Sequence, residues 1–302
     1  MTATVNPPTK GILQRTLRFL QKPVDEKSRS FYARWKRVFP SIPFPVRLPF
    51  GAWFMGRNDY LGSTLTSDGF EPDERAFLRR FLKIGMTVLD VGAHHGFYTL
   101  LFSKLVGPEG EVIAFEPSSR EQKALHLNLR LNRCKNVSVE DLALGSEDSL
   151  GTLHIVDFQT GCSSLKPLAS DIPGLRREIN VHILRLDSWI AAKGIRHVDF
   201  IKLDVEGGEL GVFEGALEFL NRRPRPVILA ELEDARSAAW DHRAKDTAGF
   251  LQGLGFRWLR ILEGGLLSEM SQNPKQYEGN FVAVPEEHMG DVRELVKNGP
   301  HS

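Results

Sequence analysis

Three things are scarce in this 302-residue chain: cysteine, a surplus of one charge sign, and uninterrupted apolar sequence. Its 2 cysteines, Cys134 and Cys162, are too few for a disulfide framework and lack C-x-x-C spacing. That suits a reducing compartment and argues against a zinc knuckle. Lys and Arg number 39 against 38 Asp and Glu, so no whole-chain field points to nucleic acid, and no nucleic-acid partner is expected. No apolar run approaches the roughly 18 residues of a membrane-spanning helix. Arg15 and Arg18 interrupt the early apolar stretch from Ile12 to Leu20, so no secretory leader is expected and the reading is cytoplasmic. With 41% hydrophobic and 25% charged residues, composition excludes collagen, coiled coil and disorder, and allows a sizeable core.

The near-neutral balance conceals a split. Residues 1–50 hold ten Lys or Arg against Asp25 and Glu26, a surplus of 8, and the remainder sums to −7 because the whole chain carries +1. This segment combines prolines with an amphipathic basic stretch from Gly11 to Gln21. It reads as an appendage, so residues 1–69 are expected to form a basic extension and residues 70–302 the main domain. The extension suits a solvated or docked tail, or peripheral contact with an anionic membrane through Ile12, Leu13, Leu17 and Leu20.

From Asp73 onward, helical and strand patterns alternate, the signature of a parallel sheet covered by helices. Expected strands are 87–91, 111–115, 137–140, 198–203 and 227–232, with helices over 73–83, 97–105 and 119–131. Two further β-like runs, 152–158 and 181–186, read as an insertion or an extra hairpin. Runs 256–262 and 280–284 read as an antiparallel closing pair.

In an open sheet of this kind, ligands bind beyond the carboxyl ends of the strands, where strand order reverses. The first such loop is Asp90-Val91-Gly92-Ala93-His94-His95-Gly96. Gly92 and Gly96 would permit close backbone approach, and Asp90 sits at the strand end. The spacing is not G-x-G-x-x-G, which disfavours a nicotinamide-dependent oxidoreductase and leaves room for an adenosyl ligand without phosphates. Glu116 ends the second strand, where a carboxylate can accept from ribose hydroxyls. Asp141 follows the third and could accept from an adenine amino group. Further on, Asp204 and Glu206 follow the fourth strand and Glu231 lies near the end of the fifth, so several carboxylates converge on one edge. Such a cluster suits a cationic donor, proton removal from a hydroxyl, or a divalent metal. His94 and His95 are further candidate bases. Glu209 reads as a helix-start acid, Lys202 as the partner of a neighbouring acid, and Asp187 as a helix N-cap.

Across residues 70–285 the chain resembles the FkbM family of S-adenosylmethionine-dependent methyltransferases. The resemblance is carried by VLDVGAHHGFYTL, FEP, SSL, LDSW, VDFIKLDVEGGEL, AEL and NFVAVP, with the segment around Asp204 the most specific. His94 departs from it, since relatives often carry Asn there. The resemblance implies an α/β fold: a Rossmann-like methyltransferase sheet, mostly parallel with an antiparallel closing strand, and helices on both faces. It also implies S-adenosyl-L-methionine as cofactor and methyl transfer to an oxygen, commonly a hydroxyl of a sugar, glycan or natural product. In that setting Asp204, Glu206 and Glu231 are the candidate catalytic acids, and Glu71 and Glu74 read equally as residues bordering the acceptor or as helix-start acids. A non-catalytic ligand-binding module of the same fold is the alternative from another functional class.

Overall fold

A computed structural model gives the fold and describes residues 32, 34, 35, 37–39, 42–57, 59–65, 69–156, 163–167, 175–270 and 276–297. The basic stretch from Gly11 to Gln21 and Cys162 lie outside these residues, and Cys134 is a free thiol. A short antiparallel hairpin, β1 (Phe44–Arg47) and β2 (Trp53–Gly56), leads into helices α1 (Tyr60–Leu65) and α2 (Pro72–Phe81). The α/β alternation follows: β3 (Thr87–Val91), α3 (Phe97–Val106), β4 (Glu111–Phe115), α4 (Ser119–Leu131) and β5 (Val137–Glu140). Strands β6 (Ala143–Leu144), β7 (Ser149–Val156) and β8 (Arg176–Leu184) form a separate three-stranded sheet, which is the hairpin read from sequence with one short strand added. The chain then returns through α5 (Leu186–Lys193), β9 (Phe200–Leu203), α6 (Glu209–Glu214), α7 (Leu217–Leu220) and β10 (Val227–Glu233). It closes with α8 (Asp234–Ala238), α9 (Ala244–Gly253), β11 (Phe256–Leu262), β12 (Leu266–Glu269) and β13 (Glu278–Pro285).

The main sheet has the order β12-β11-β13-β10-β9-β3-β4-β5. Strands β3, β4, β5, β9 and β10 pair in parallel, and β13 inserts antiparallel between β10 and β11. The chain steps from β3 through β4 to β5 in one direction and from β9 to β10 in the other. The reversal lies between β3 and β9, and there the carboxyl ends of neighbouring strands part to leave a crevice. The antiparallel closing pair is therefore as expected, whereas the edge strand β12 goes unread because four residues beside two glycines carry no usable period.

Both faces of the sheet are buried, which explains the near-continuous apolar strands. Val88, Val112 and Phe200 join one core with α2, α3 and α4; Leu89, Ile113 and Ile201 join the other with α5, α6 and α9. The first core extends below residue 70. Leu48 and Phe54 are fully buried in it beside Phe77 and Leu101, each contributing about 1.5–3 kcal/mol by burial. The β2 amides of Trp53 and Met55 donate to Asn132 Oδ1 and Asn128 Oδ1 of α4, both at 2.8 Å. Leu48, Ala52, Phe54, Leu61 and Leu65 thus share a core with residues beyond 70, while Phe44 and Val46 pack with Tyr32 in a small separate cluster.

Asp187 is not the cap of its own helix, whose N-cap is Arg185. Its carboxylate instead accepts from the amides of Glu218 and Phe219, at 3.0 and 2.8 Å, and so satisfies the N-terminus of α7.

Candidate active site

A cavity of about 780 Å³ opens at the crevice, walled by the carboxyl ends of β3, β4, β9 and β10. Its floor depends on Gly92, with φ of +84°: a Cβ there would lie 1.9 Å from the backbone oxygen of Asp204, so only glycine lets the loops after β3 and β9 meet. Gly96 serves a different end. It does not line the cavity; a Cβ there would come within 2.4 Å of Leu125 Cδ1, so its absence makes room where α3 packs on α4. The structure thus places Gly96 in the packing of α3 on α4 and off the cavity wall.

Glu116 faces the cavity with its carboxylate already oriented, Oε2 accepting from the amide of His94 and Oε1 from that of Ser118, both at 2.8 Å. Burial nevertheless pushes this acid up to about 8, with Glu121 adding repulsion and the two amides opposing. Asp90 is fully buried on the cavity wall. Thr99 Oγ1 donates to its Oδ2 at 2.5 Å, while Oδ1 has no partner. Burial lifts Asp90 to about 6 against the attraction of Lys202. Asp141 does not reach the cavity: it is exposed, and the chain turns inward only at the next residue, so Leu142, Ala143 and Leu144 line that side. The wall on that side is apolar and includes Phe115.

At the other side of the crevice, charged groups form a connected set. Lys202, 3% exposed, donates to Asp204 Oδ2 at 2.9 Å and lies 4.7 Å above the ring of Tyr98. The Tyr98 hydroxyl donates to Glu71 Oε2. Arg236 pairs with Glu206 and Glu233, and its Nε stands 3.6 Å from Glu231 Oε2. The resulting ionisation states differ sharply. Burial opposes charge on Asp204, but the charge and hydrogen bond of Lys202, the charge of Arg236 and a hydrogen bond from Glu231 together hold the acid below its ordinary value. Glu231 is raised by burial and then by the charge of Asp204, so it keeps its proton. Glu71 is raised by burial to about 7, with Lys202 and the Tyr98 hydroxyl opposing. Glu206 is engaged by Arg236. Glu209 faces elsewhere, accepting from the amides of Val205 and Gly207 at 3.0 and 3.3 Å to hold the loop after β9.

Asp90, Gly92, Glu116, Asp204, Glu206 and Glu231 thus meet around one cavity, while Gly96 and Asp141 do not line it. Of the two acids at the start of α2, Glu71 lines the cavity and Glu74 turns to Asn280 Nδ2 at 3.3 Å. Tyr98 and Arg236 escape the sequence reading because helical periodicity describes a core face and says nothing of the cavity above it. Three non-glycine residues on the wall, Glu71, His94 and Glu206, adopt left-handed backbone with φ of 46°, 51° and 59°. Each such residue costs about 1–3 kcal/mol, and strain of this kind gathers where side chains must be aimed.

A doubly flanked sheet with one antiparallel strand beside β10, and an acid-lined cavity at its switch point, give the chain the Rossmann-like fold found in methyltransferases. The chain belongs to the FkbM methyltransferase family, whose domain, described as Methyltransferase FkbM domain, matches residues 90–258. It is 27% identical over 238 residues to the 31-O-demethyl-FK506 methyltransferase FkbM of Streptomyces tacrolimicus, covering 70% of this chain and 88% of that one. It is 26% identical over 144 residues to the 2-O-methyltransferase NoeI of Sinorhizobium fredii, covering 45% and 59% respectively. The crystal structure of Methyltransferase FkbM from Methylobacillus flagellatus aligns with a TM-score of 0.42 and 16% identity, over 66% of this chain and 44% of that chain. Among the described residues no helix is long and apolar enough to cross a membrane.

Proposed function

We propose that this methyltransferase transfers the methyl group of S-adenosyl-L-methionine to a hydroxyl of a sugar, glycan or natural product. The observation that carries this reading is the pairing, in one cavity, of a backbone-oriented acid at one side with an acid of near-neutral affinity at the other. Glu116 presents the lone pairs left free by its two amides to a diol. The partnerless Asp90 Oδ1 suits an ammonium donor, and Leu142 and Phe115 suit the faces of a purine. The cavity volume matches the range of small-molecule sites. When bound, the cofactor supplies an electrophilic methyl group on a sulfonium.

The chain's own residues would then do two things. Glu71, at about 7, is poised to take the proton from an acceptor hydroxyl near neutral pH, its orientation fixed by Tyr98. Asp204, ionised and anchored by Lys202, aligns the acceptor by accepting a hydrogen bond from a second hydroxyl of it. Glu231 and Glu206 hold Asp204 and Arg236 in place, a positioning part rather than the direct one expected from sequence.

Calorimetry with S-adenosylmethionine, S-adenosylhomocysteine and NAD tests the cofactor. Binding of the adenosyl pair without NAD supports the reading, and NAD alone overturns it. A screen of hydroxylated acceptors for a mass gain of one methyl group tests the chemistry, and transfer only to nitrogen or carbon refutes the oxygen assignment. If the acceptor is a glycan carried on lipid, the basic segment from Gly11 to Gln21 would bring the enzyme to an anionic surface, and sedimentation with anionic vesicles at low salt reads that directly.

A further inference from the structure

We propose that the outer face of the β1–β2 hairpin and the adjoining flank of α4 dock the enzyme on a membrane surface rich in anionic phospholipid. Positive charge is concentrated here. Residues 27–58 hold seven Lys or Arg and no Asp or Glu, and α4 with the residues just after it adds Lys123, Arg130, Arg133 and Lys135. The sole acid of α4, Glu121, is buried.

Hydrogen bonds set the hairpin and the helix side by side. Asn132, the C-cap of α4, accepts from the Trp53 amide at 2.8 Å and donates to the Trp53 carbonyl at 2.6 Å, and Asn128, one turn earlier, accepts from the Met55 amide at 2.8 Å. With 3.6 residues per turn, Lys123, Leu127, Arg130 and Leu131 fall within an arc of about 100° of the helix. Leu131 stands about 60° from Asn128, so the leucines border β2 and the cations lie farther out. Trp53, Leu127 and Leu131 are 43%, 37% and 43% exposed along this seam, and apolar surface gathered in one place and rimmed by charge marks an interaction site. Across the hairpin Arg47 pairs with Trp53, its guanidinium 5.7 Å from the ring centroid. Arg47, Lys123, Arg130 and Arg133 are exposed, and among the described residues no carboxylate pairs with them.

Cations around an exposed indole and two leucines match the headgroup layer of an anionic bilayer: the charged groups meet phosphates, the indole sits at the boundary and the leucines enter it. A second copy of the chain does not fit, because two such faces would set like charges opposite each other. A nucleic acid would engage the cations and leave the leucines in water. Past Lys123 the strip opens on a hollow of about 370 Å³, whose lining includes Arg57, Arg120, Lys123 and Arg177 and no carboxylate. Arg120 and Arg177 keep their partners in the protein; the hollow adds positive field for a lipid phosphate, and the docking itself rests on the strip. Glu116 and Pro117 line the catalytic cavity and Ser118 begins the wall of the hollow, so a docked enzyme holds its cavity close to the lipid.

The test uses the full chain with vesicles of phosphatidylcholine alone or with about a third phosphatidylglycerol. It needs no methyl acceptor, so its failure leaves the methyl-transfer reading intact. Sedimentation should show binding to the anionic vesicles only, lost as salt rises from about 0.05 to about 0.5 M. Lys123→Glu combined with Arg130→Glu should weaken binding at least tenfold while affinity for S-adenosylhomocysteine stays within twofold. Lipid brominated on its acyl chains should quench the tryptophan emission of the wild type, and Trp53→Phe should remove most of that quenching. Should the double variant fail to fold, Trp53→Phe decides. Absence of binding to the anionic vesicles, or quenching that Trp53→Phe leaves unchanged, would overturn the proposal. So would a loss smaller than tenfold in the double variant, which would pass the docking to the segment from Gly11 to Gln21, or an oligonucleotide bound more tightly than the vesicles at the same salt.

Discussion

Lys202→Met removes the cation buried among Asp204, Asp90 and Glu71 while keeping most of the aliphatic stem. At 2.9 Å the attraction between Lys202 and Asp204 is about 6 kcal/mol at an effective dielectric constant of ~20. Desolvation offsets much of that, and losing one partner of a buried pair costs about 3–5 kcal/mol. The sharper consequence is in protonation. Lys202 lowers the proton affinity of Glu71, Asp90 and Asp204 together. With it gone, a rise of one unit would take Glu71 from about 7, half ionised at neutral pH, to roughly one-tenth ionised. Methyl transfer at pH 7 should fall about fivefold from this cause alone. The rate should recover as pH is raised toward 9, because the acid limb of the pH–rate profile has moved upward. Lys202→Arg keeps the charge and should keep the limb near its original position.

The stability of the same variant follows a second sign. Asp204, held below its ordinary value, contributes stability at neutral pH that is lost as pH falls through its folded value. The melting temperatures of wild type and Lys202→Met should therefore differ most at neutral pH and converge toward acid. Initial rates across pH 5 to 9, with melting curves at each value, decide the matter. A Lys202→Met limb that coincides with the wild type, at whatever absolute rate, would refute the claim that Lys202 sets the ionisation of the acids around it.

Glu116→Gln should weaken S-adenosylmethionine binding about 10- to 100-fold, the value of one or two hydrogen bonds to a charged acceptor. In the wild type, hydroxyl donors favour the ionised form of an acid that sits at about 8, so affinity should rise with pH until about 8 and then level off; calorimetry in buffers of different ionisation heat would detect the released proton, and a flat profile would contradict the assignment. Gly92→Ala drives a methyl carbon into the Asp204 carbonyl and should fold poorly or melt far below the wild type, whereas an unchanged melting temperature would mean that the two loops do not meet. Asp141→Ala, at an exposed position away from the cavity, should leave cofactor affinity within twofold by the same calorimetry.

The legible parts of this protein are those governed by one period or one chain-level rule. Strands β3, β4 and β5 are read within their bounds because both faces are buried and their apolar runs are bracketed by turn residues, and the strand-end rule then places Asp90, Glu116, Asp204 and Glu231 at a common edge. What sequence cannot show is where a chain turns between the end of a strand and the next element. Asp141 and Leu142 are adjacent, yet only the second enters the cavity, because β6 starts at Ala143 and pulls the chain inward after the acid has passed. Ionisation is hidden for a similar reason. Asp204 and Glu231 are read alike as strand-end acids, but the pairing of β9 with β10 sets them side by side with a single lysine, and one then keeps its charge while the other keeps its proton. The division of labour among the acids is thus a property of strand register. Residues belonging to different elements acquire opposite chemical states only when the sheet closes, and for that reason Glu71, which reads as a helix-start acid, emerges as the group matched to neutral pH.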